Sequence, residues 1–202
     1  MRGTVSSEHL VQLFDETESL IAGVSTFLFD AWNKGEHLLV VARAAHWALT
    51  ADELQARGCP VPRLIADGRL VVLDAATTLA TFMVNEDPDP AKFRASIGDL
   101  VSRVCAESEH GVAAYGEMVD ILAAQRKFQA AEQLEALWNE LSQTCSFRLL
   151  CGYSAIHFGD ERTDAHLRGI CAAHHDASAR ATDLLSTWLL ANRRAKYHLE
   201  TQ

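Results

Sequence analysis

The chain has 202 residues, of which 49% are hydrophobic, and a formal net charge of −9 from 27 acidic and 18 basic side chains. This length and composition predict one folded domain with a sizeable core, and they exclude a disordered chain. The acidic balance argues against a broad surface for direct nucleic-acid binding. No apolar run reaches the 18 or so residues of a membrane span.

Cysteine use and the amino terminus indicate the compartment. Five widely spaced cysteines, an odd number, are a poor disulfide framework and favour a reducing environment. The first ten residues, MRGTVSSEHL, lack the apolar core of a signal peptide. We therefore expect a cytoplasmic protein that does not associate with a membrane.

Apolar strand-like runs and helix-like periodicities alternate along the first half of the chain. Asp15 and Glu18 form a D-x-x-E start signal in which Asp15 would cap the first long helix, and Gly35 would end it. The predicted strands are 9–14, 38–42 and 70–73. The predicted helices are one that follows the Asp15 cap and runs to about residue 34, then 45–57, 75–83 and one from about 93, after an acidic, proline-broken loop at 85–90.

The second half continues the alternation. A short buried strand at 112–115 is followed by Gly116 and Glu117, two helical segments, a strand at 147–151 and a helix at 163–175. A final helix is predicted at 177–196, with its apolar side formed by Leu184, Leu185, Trp188 and Leu189. We place Trp32, Trp138 and Trp188 in the core. The pattern predicts an α/β fold, a mostly parallel sheet with helices on both faces in a three-layer sandwich.

Residues 34–49 have the strand–loop–helix layout of a phosphate-binding P-loop. That loop needs glycines for backbone contact with phosphate, a lysine for its charge and a hydroxyl for magnesium. The loop Ala-Arg-Ala-Ala-His at 42–46 has none of these. Arg43 and His46 could still meet an anion at the start of the following helix, or they could be two polar side chains of a tight turn.

Glu117 follows a buried strand, at the edge where open α/β sheets place their ligands. Without a lysine or magnesium-binding hydroxyl it has no evident role in phosphoryl transfer. It is either a ligand-contacting or switch carboxylate, or an acid favoured by the dipole at a helix start.

Cysteines and histidines supply the remaining candidates. Cys171 and His174 are three residues apart and could share a metal with Cys151, and Cys151 with His174 could form a thiol–imidazole pair. Neither C-x-x-C nor H-E-x-x-H is present, so buried cysteines with a hydrogen-bonded histidine are the alternative, and we expect neither metal nor cofactor. His9 is either a structural hydrogen-bonding residue or a ligand contact.

Several segments together resemble the MEDS family, the methanogen/methylotroph, DcmR sensory domain. They follow the family's order over about residues 8–176. The matching segments include 9–14 (HLVQLF), 40–46 (VVARAAH), 68–75 (GRLVVLDA), 115–122 (YGEMVDIL), 134–141 (LEALWNEL), 147–153 (FRLLCGY) and 170–174 (ICAAH). Ser154 stands where the family often has proline.

The resemblance implies a RecA/KaiC-like fold, related to P-loop proteins, whose phosphate loop has degenerated. It further implies a sensory domain at 1–176, with a helical extension at 177–202. Such a domain would be non-catalytic and would bind a small molecule through Arg43, His46 and Glu117, with His9 and His174 as further contacts. It would pass its state to a signalling partner of the histidine kinase or anti-sigma type.

Two other functions stay open at this point. One is an interaction module without a ligand, which would bind its partner or form a homo-oligomer through the C-terminal helix. The other is an atypical ATPase.

Overall fold

The computed structural model describes residues 7–191. Its strands are β1 (Glu8–Phe14), β2 (His37–Ala42), β3 (Leu70–Asp74), β4 (Met83–Val84), β5 (Asp87–Pro88), β6 (Val112–Gly116), β7 (Arg148–Ser154) and β8 (Asp176–Ala179). Its helices are α1 (Thr17–Asn33), α2 (Ala44–Ala56), α3 (Val61–Ala66), α4 (Ala75–Phe82), α5 (Pro90–Phe93), α6 (Asp99–Glu107), α7 (Met118–Ala124), α8 (Phe128–Ser142) and α9 (Glu161–Ala172). A further helical stretch covers residues 184–191.

Six strands form one sheet in the order β3-β2-β6-β7-β1-β8, and every neighbouring pair in it is parallel. β4 and β5, two residues each, form a separate hairpin that begins before the predicted acidic loop and ends within it. Asn85 and Glu86, which connect the two strands, have positive φ. Parallel strands need long crossovers, which the helices supply.

Two apolar cores, one on each face of the sheet, make the fold a three-layer sandwich and confirm the predicted fold class. α1, α2 and α3 cover one face with residues such as Leu20, Leu54 and Leu64. The helices from α4 to α9 cover the other, where Trp138 and Phe147 are among the largest buried side chains. Within residues 7–191, no helix is long and apolar enough to cross a membrane.

The predicted final helix is wrong at its start. Residues 176–179 extend the sheet as β8, which pairs with β1 from Leu10 to Leu13, and helical structure begins only at 184. Residues 192–196 of the predicted helix lie outside the described part of the chain.

The apolar residues of the predicted final helix differ in their exposure to solvent. Leu189 packs into the core, whereas Leu184 and Trp188 are exposed by 76% and 60%, so the core placement of Trp188 is wrong.

Asp15 caps a different helix from the predicted one. Its carboxylate accepts hydrogen bonds from the backbone N–H groups of Leu185 and Ser186, at 2.7 and 2.9 Å, and from the Ser186 hydroxyl. The residue before α1 is Glu16, whose side chain makes no capping bond. Asp15 thus ties the carboxyl end of β1 to the last helix, a contact across 170 residues of sequence that a local start signal cannot reveal.

Candidate functional site

The carboxyl ends of β2 and β6 form a crevice in the sheet. The two strands are neighbours, yet the helices that follow them leave on opposite faces, because α2 packs with α1 and α7 packs with α8. Such a reversal opens a cleft where open α/β sheets bind ligands. Val41 pairs with Gly116, so the residues that follow the two strands, Arg43 and Glu117, lie side by side.

Glu117 is the centre of this crevice. Its side chain is 1% exposed. Oε2 lies 2.8 Å from Arg43 Nη1 and 2.9 Å from His46 Nδ1, and the Tyr115 hydroxyl donates to Oε1 at 3.0 Å. Gly152 of β7 permits this approach, because a Cβ there would come within 3.1 Å of the Tyr115 hydroxyl. Each carboxylate oxygen therefore has a partner, which offsets the cost of burying the charge.

Asp120 is a second buried carboxylate, one turn further along α7. It accepts Arg43 Nη2 at 2.7 Å and the Ser154 N–H at 2.8 Å, and His157 Nε2 lies 3.2 Å from Oδ1. Burial on its own would raise the pKa of Asp120. The hydrogen bonds from His157 and Ser154 and the charge of Arg43 outweigh it, and hold that pKa below its ordinary value.

We call the five side chains of this site, Arg43, His46, Glu117, Asp120 and His157, the crevice cluster. The carboxylates Glu117 and Asp120 form its lower, buried layer, and the other three side chains form its upper layer, nearer to solvent. The side chains of the upper layer are partly exposed, that of Arg43 by 32%. The lower layer holds the upper side chains in position, and the upper layer is the part of the cluster that is open to solvent. The cluster can therefore bind a small molecule that carries hydrogen-bond acceptors.

The structure brings together three of the five predicted ligand contacts, Arg43, His46 and Glu117. Sequence reasoning missed Asp120 and His157. The spacing Glu117-x-x-Asp120 could have indicated the first, because residues three apart share a helix face. His157 follows β7 in a short turn, and nothing in its sequence neighbourhood marks it.

The other two predicted contacts, His9 and His174, belong to a separate buried group with Glu135 and Cys151, on the face of the sheet covered by α8 and α9. Cys151, one of the weak metal candidates, is in this group with His174. Cys171, the third candidate, is buried but is not one of the four.

A groove of about 510 Å³ lies between α1 and α2 and includes Ile21, Leu49 and Glu53 in its lining. Arg43, His46 and Glu117 are not among its lining residues. This groove is thus separate from the crevice cluster, and Glu18, Asp52 and Glu53 give it an acidic rim.

Comparison with known families identifies a sensory domain. The model of MEDS, the methanogen/methylotroph, DcmR sensory domain, matches residues 8–174, which includes every residue of the crevice cluster and of the buried group. Among curated proteins, none matches the chain.

Proposed function

Because this chain belongs to the MEDS family of sensory domains, we propose that it is a signalling sensor that binds a small molecule at the crevice cluster. Arg43 and His46 contact the ligand, and Glu117 and Asp120 hold them in position. The role is binding, without catalysis. His9 and His174, which the sequence placed with the ligand contacts, lie in the separate buried group.

The observation that carries this proposal is the Arg43 side chain. One guanidinium bridges two buried carboxylates and is itself about one third exposed. A ligand with an acceptor group can compete for its N–H groups without opening the core. The same is true of His46, which shares Glu117 with Arg43.

The contacts of Asp120 extend the effect of a ligand to other strands. Asp120 connects Arg43, which follows β2, with the backbone of Ser154, at the end of β7. A ligand that prefers one geometry of Arg43 therefore shifts the balance between arrangements of the loops after β2, β6 and β7. Signalling follows if a partner, such as a histidine kinase or an anti-sigma type protein, binds one arrangement better.

Thermal denaturation with a panel of short-chain alcohols, carboxylates, amines and halogenated hydrocarbons tests the proposal. We expect one class to raise the Tm of the wild-type protein, and the rise to disappear in Arg43→Ala and His46→Ala. Arg63→Ala is the matched control, because Arg63 makes only an exposed ion pair with Asp67. If the ligand raises the Tm of Arg43→Ala and His46→Ala as much as that of the wild type, the ligand does not bind at the crevice cluster. If no class of compound raises the Tm of the wild-type protein, the sensor role is contradicted.

A second function, an interaction module that acts by self-association, is favoured by the exposure of Leu184 and Trp188 next to each other on the last helix. Large exposed apolar patches mark contact surfaces. Light scattering should then show an oligomer that Leu184→Glu and Trp188→Glu dissociate. Ile156→Glu, which removes a side chain with 74% exposure elsewhere, should leave it intact. A monomeric wild-type protein would exclude this function.

A further inference from the structure

Four side chains that are typical metal ligands converge in the core, far apart in sequence. His9 comes from β1, Glu135 from α8, Cys151 from β7 and His174 from the segment after α9, and all four are buried. Their donor atoms all lie within 4.8 Å of one another. Val11 pairs with Cys151, and since side chains alternate along a strand, His9 and Cys151 point to the same face of the sheet.

Three of the four donor atoms are spaced like ligands of a tetrahedral site, and the fourth, His174 Nε2, lies next to the other oxygen of Glu135. With metal–N and metal–O bonds of about 2.0 Å and a metal–S bond of about 2.3 Å, tetrahedral edges are about 3.3 Å between N and O and about 3.5 Å from either to S. His9 Nε2 lies 3.1 Å from Glu135 Oε2, and Cys151 Sγ lies 3.4 Å from each of these atoms. His174 Nε2 lies 3.5 Å from Glu135 Oε1.

The hydrogen bonds around His9 determine which ring nitrogen carries a proton. Asn139 Nδ2 donates to the Ala173 carbonyl at 2.9 Å, which orients the amide so that its oxygen faces His9 Nδ1 at 2.8 Å. An amide oxygen only accepts, so Nδ1 must donate. In a neutral ring, Nε2 then carries a lone pair, and this lone pair faces the Glu135 carboxylate.

His174 is held in the same way. Its Nδ1 lies 2.6 Å from the Ile170 carbonyl oxygen, an acceptor, so Nδ1 is the protonated nitrogen here too. Its Nε2 is buried without a hydrogen-bond partner and points at Glu135. The side chain is 0% exposed. Histidines that ligate metals through one nitrogen normally donate from the other to a carbonyl or carboxylate in this manner.

Two imidazole lone pairs, a carboxylate and a thiol therefore meet in the buried core, and one metal cation would satisfy all of them. We propose that His9, Glu135, Cys151 and His174 bind one divalent transition-metal ion of the zinc class. Imidazole and thiolate ligands favour such an ion over magnesium or calcium. The negative charges of Glu135 and of a Cys151 thiolate would balance its charge, and a neutral site is the least costly to bury.

The surroundings fit a structural metal. The Tyr153 hydroxyl donates to Glu135 Oε1 at 2.8 Å and fixes the carboxylate. Four protein ligands complete a tetrahedron and leave no position for a substrate, as in structural zinc sites. The ion would join β1, β7 and α8 to the end of α9. A small cavity of about 10 Å³ lies beside His9 and is also lined by His175.

Titration of the full chain with Co²⁺ and Zn²⁺ tests this site. We expect about one ion per chain, a rise in Tm, and for Co²⁺ the visible absorption of a tetrahedral site together with a near-ultraviolet thiolate-to-metal band. Cys151→Ser should abolish the thiolate band, and His174→Gln should weaken Co²⁺ binding at least tenfold. Cys59→Ser is the control, because it removes another buried cysteine, in the opposite core.

Two results would overturn the site. A thiolate band that survives Cys151→Ser places the metal elsewhere. The second result is a wild-type protein that is isolated without metal and gains neither the thiolate band with Co²⁺ nor a higher Tm with Co²⁺ or Zn²⁺. In that case the four buried side chains form a proton-sharing network and not a metal site. The second result needs only the wild-type protein, so the proposal stays testable if the variants do not fold.

Discussion

At the scale of single residues, the crevice cluster depends on one carboxylate that receives several donors. Glu117→Gln keeps the shape of the side chain but removes the charge that Arg43 and His46 share. Breaking a buried ion pair typically costs about 3–5 kcal/mol. Arg43 keeps Asp120 and some solvent contact, so we expect a loss of roughly 2 kcal/mol in the free energy of unfolding.

Urea denaturation at neutral pH measures this loss. Asp67→Asn, which removes the acid of an exposed ion pair with Arg63, is the control and should change stability by less than about 0.5 kcal/mol. Equal effects of the two substitutions would show that Glu117 is not the anchor of the cluster.

Asp120 gives the site a defined response to acid. Its pKa is lowered in the folded protein, so its ionised form stabilises the fold above the unfolded value of about 3.9. That stability is lost as the pH falls through the lowered folded value. We expect Asp120→Asn to reduce stability at neutral pH and to make its decline below about pH 4 shallower.

Unfolding free energies measured as a function of pH test this for Asp120→Asn and for the exposed control Asp52→Asn. The control should follow the wild-type curve. An Asp120→Asn curve that runs parallel to the wild type at all pH values would assign the acid response to other groups.

At the scale of secondary-structure elements, Asp15 is the link between the sheet and the last helix. It accepts from two backbone N–H groups and one hydroxyl, and loss of such a cap costs about 1 kcal/mol. Asp15→Ala should therefore speed hydrogen exchange in residues 184–191. Asp74→Ala is the matched control, because Asp74 caps α4 through Thr77 and should loosen that helix instead. Unchanged exchange in 184–191 would refute the link.

The elements that the sequence predicts well are those with a strong local pattern. β2 and β6 contain the short apolar runs 38–42 and 112–115, and α1 and α8 each keep one apolar face, so their positions follow from the sequence pattern. β8 could not be found in this way. Its sequence, Asp-Ala-Ser-Ala, has no apolar alternation, and it is a strand because the free edge of β1 pairs with it.

The same limit applies to the two sites. The crevice cluster was partly predictable, because Arg43 and Glu117 follow apolar strands and the carboxyl edge of a parallel sheet is a known ligand position. The buried group was also partly predictable, because Cys151 and His174 were named together as possible metal ligands. Glu135 was missed, because it is more than a hundred residues from His9 and the two meet only in the folded chain. Sequence spacing favoured Cys171 with His174, whereas the structure pairs His174 with Glu135.

At the scale of the whole molecule, the stretch from β8 to the last helix completes the sheet. β1 pairs with β7 on one side and with β8 on the other, and the last helix adds Leu189 to the core. A chain shortened to residues 1–175 loses both elements and exposes the backbone N–H and C=O groups of β1 as a free edge. Exposed edges promote association with other strands.

We therefore expect the chain shortened to residues 1–175 to have a lower Tm than the full chain and to self-associate as its concentration rises. A chain of residues 1–191, which keeps every described element, is the control and should behave as the full chain does. Light scattering and thermal denaturation of the three chains decide this. If association instead disappears on shortening to 175, the last helix is itself the contact surface, as the interaction-module function requires. A 1–175 chain that stays monomeric and melts as the full chain does would show that β8 is dispensable to the sheet.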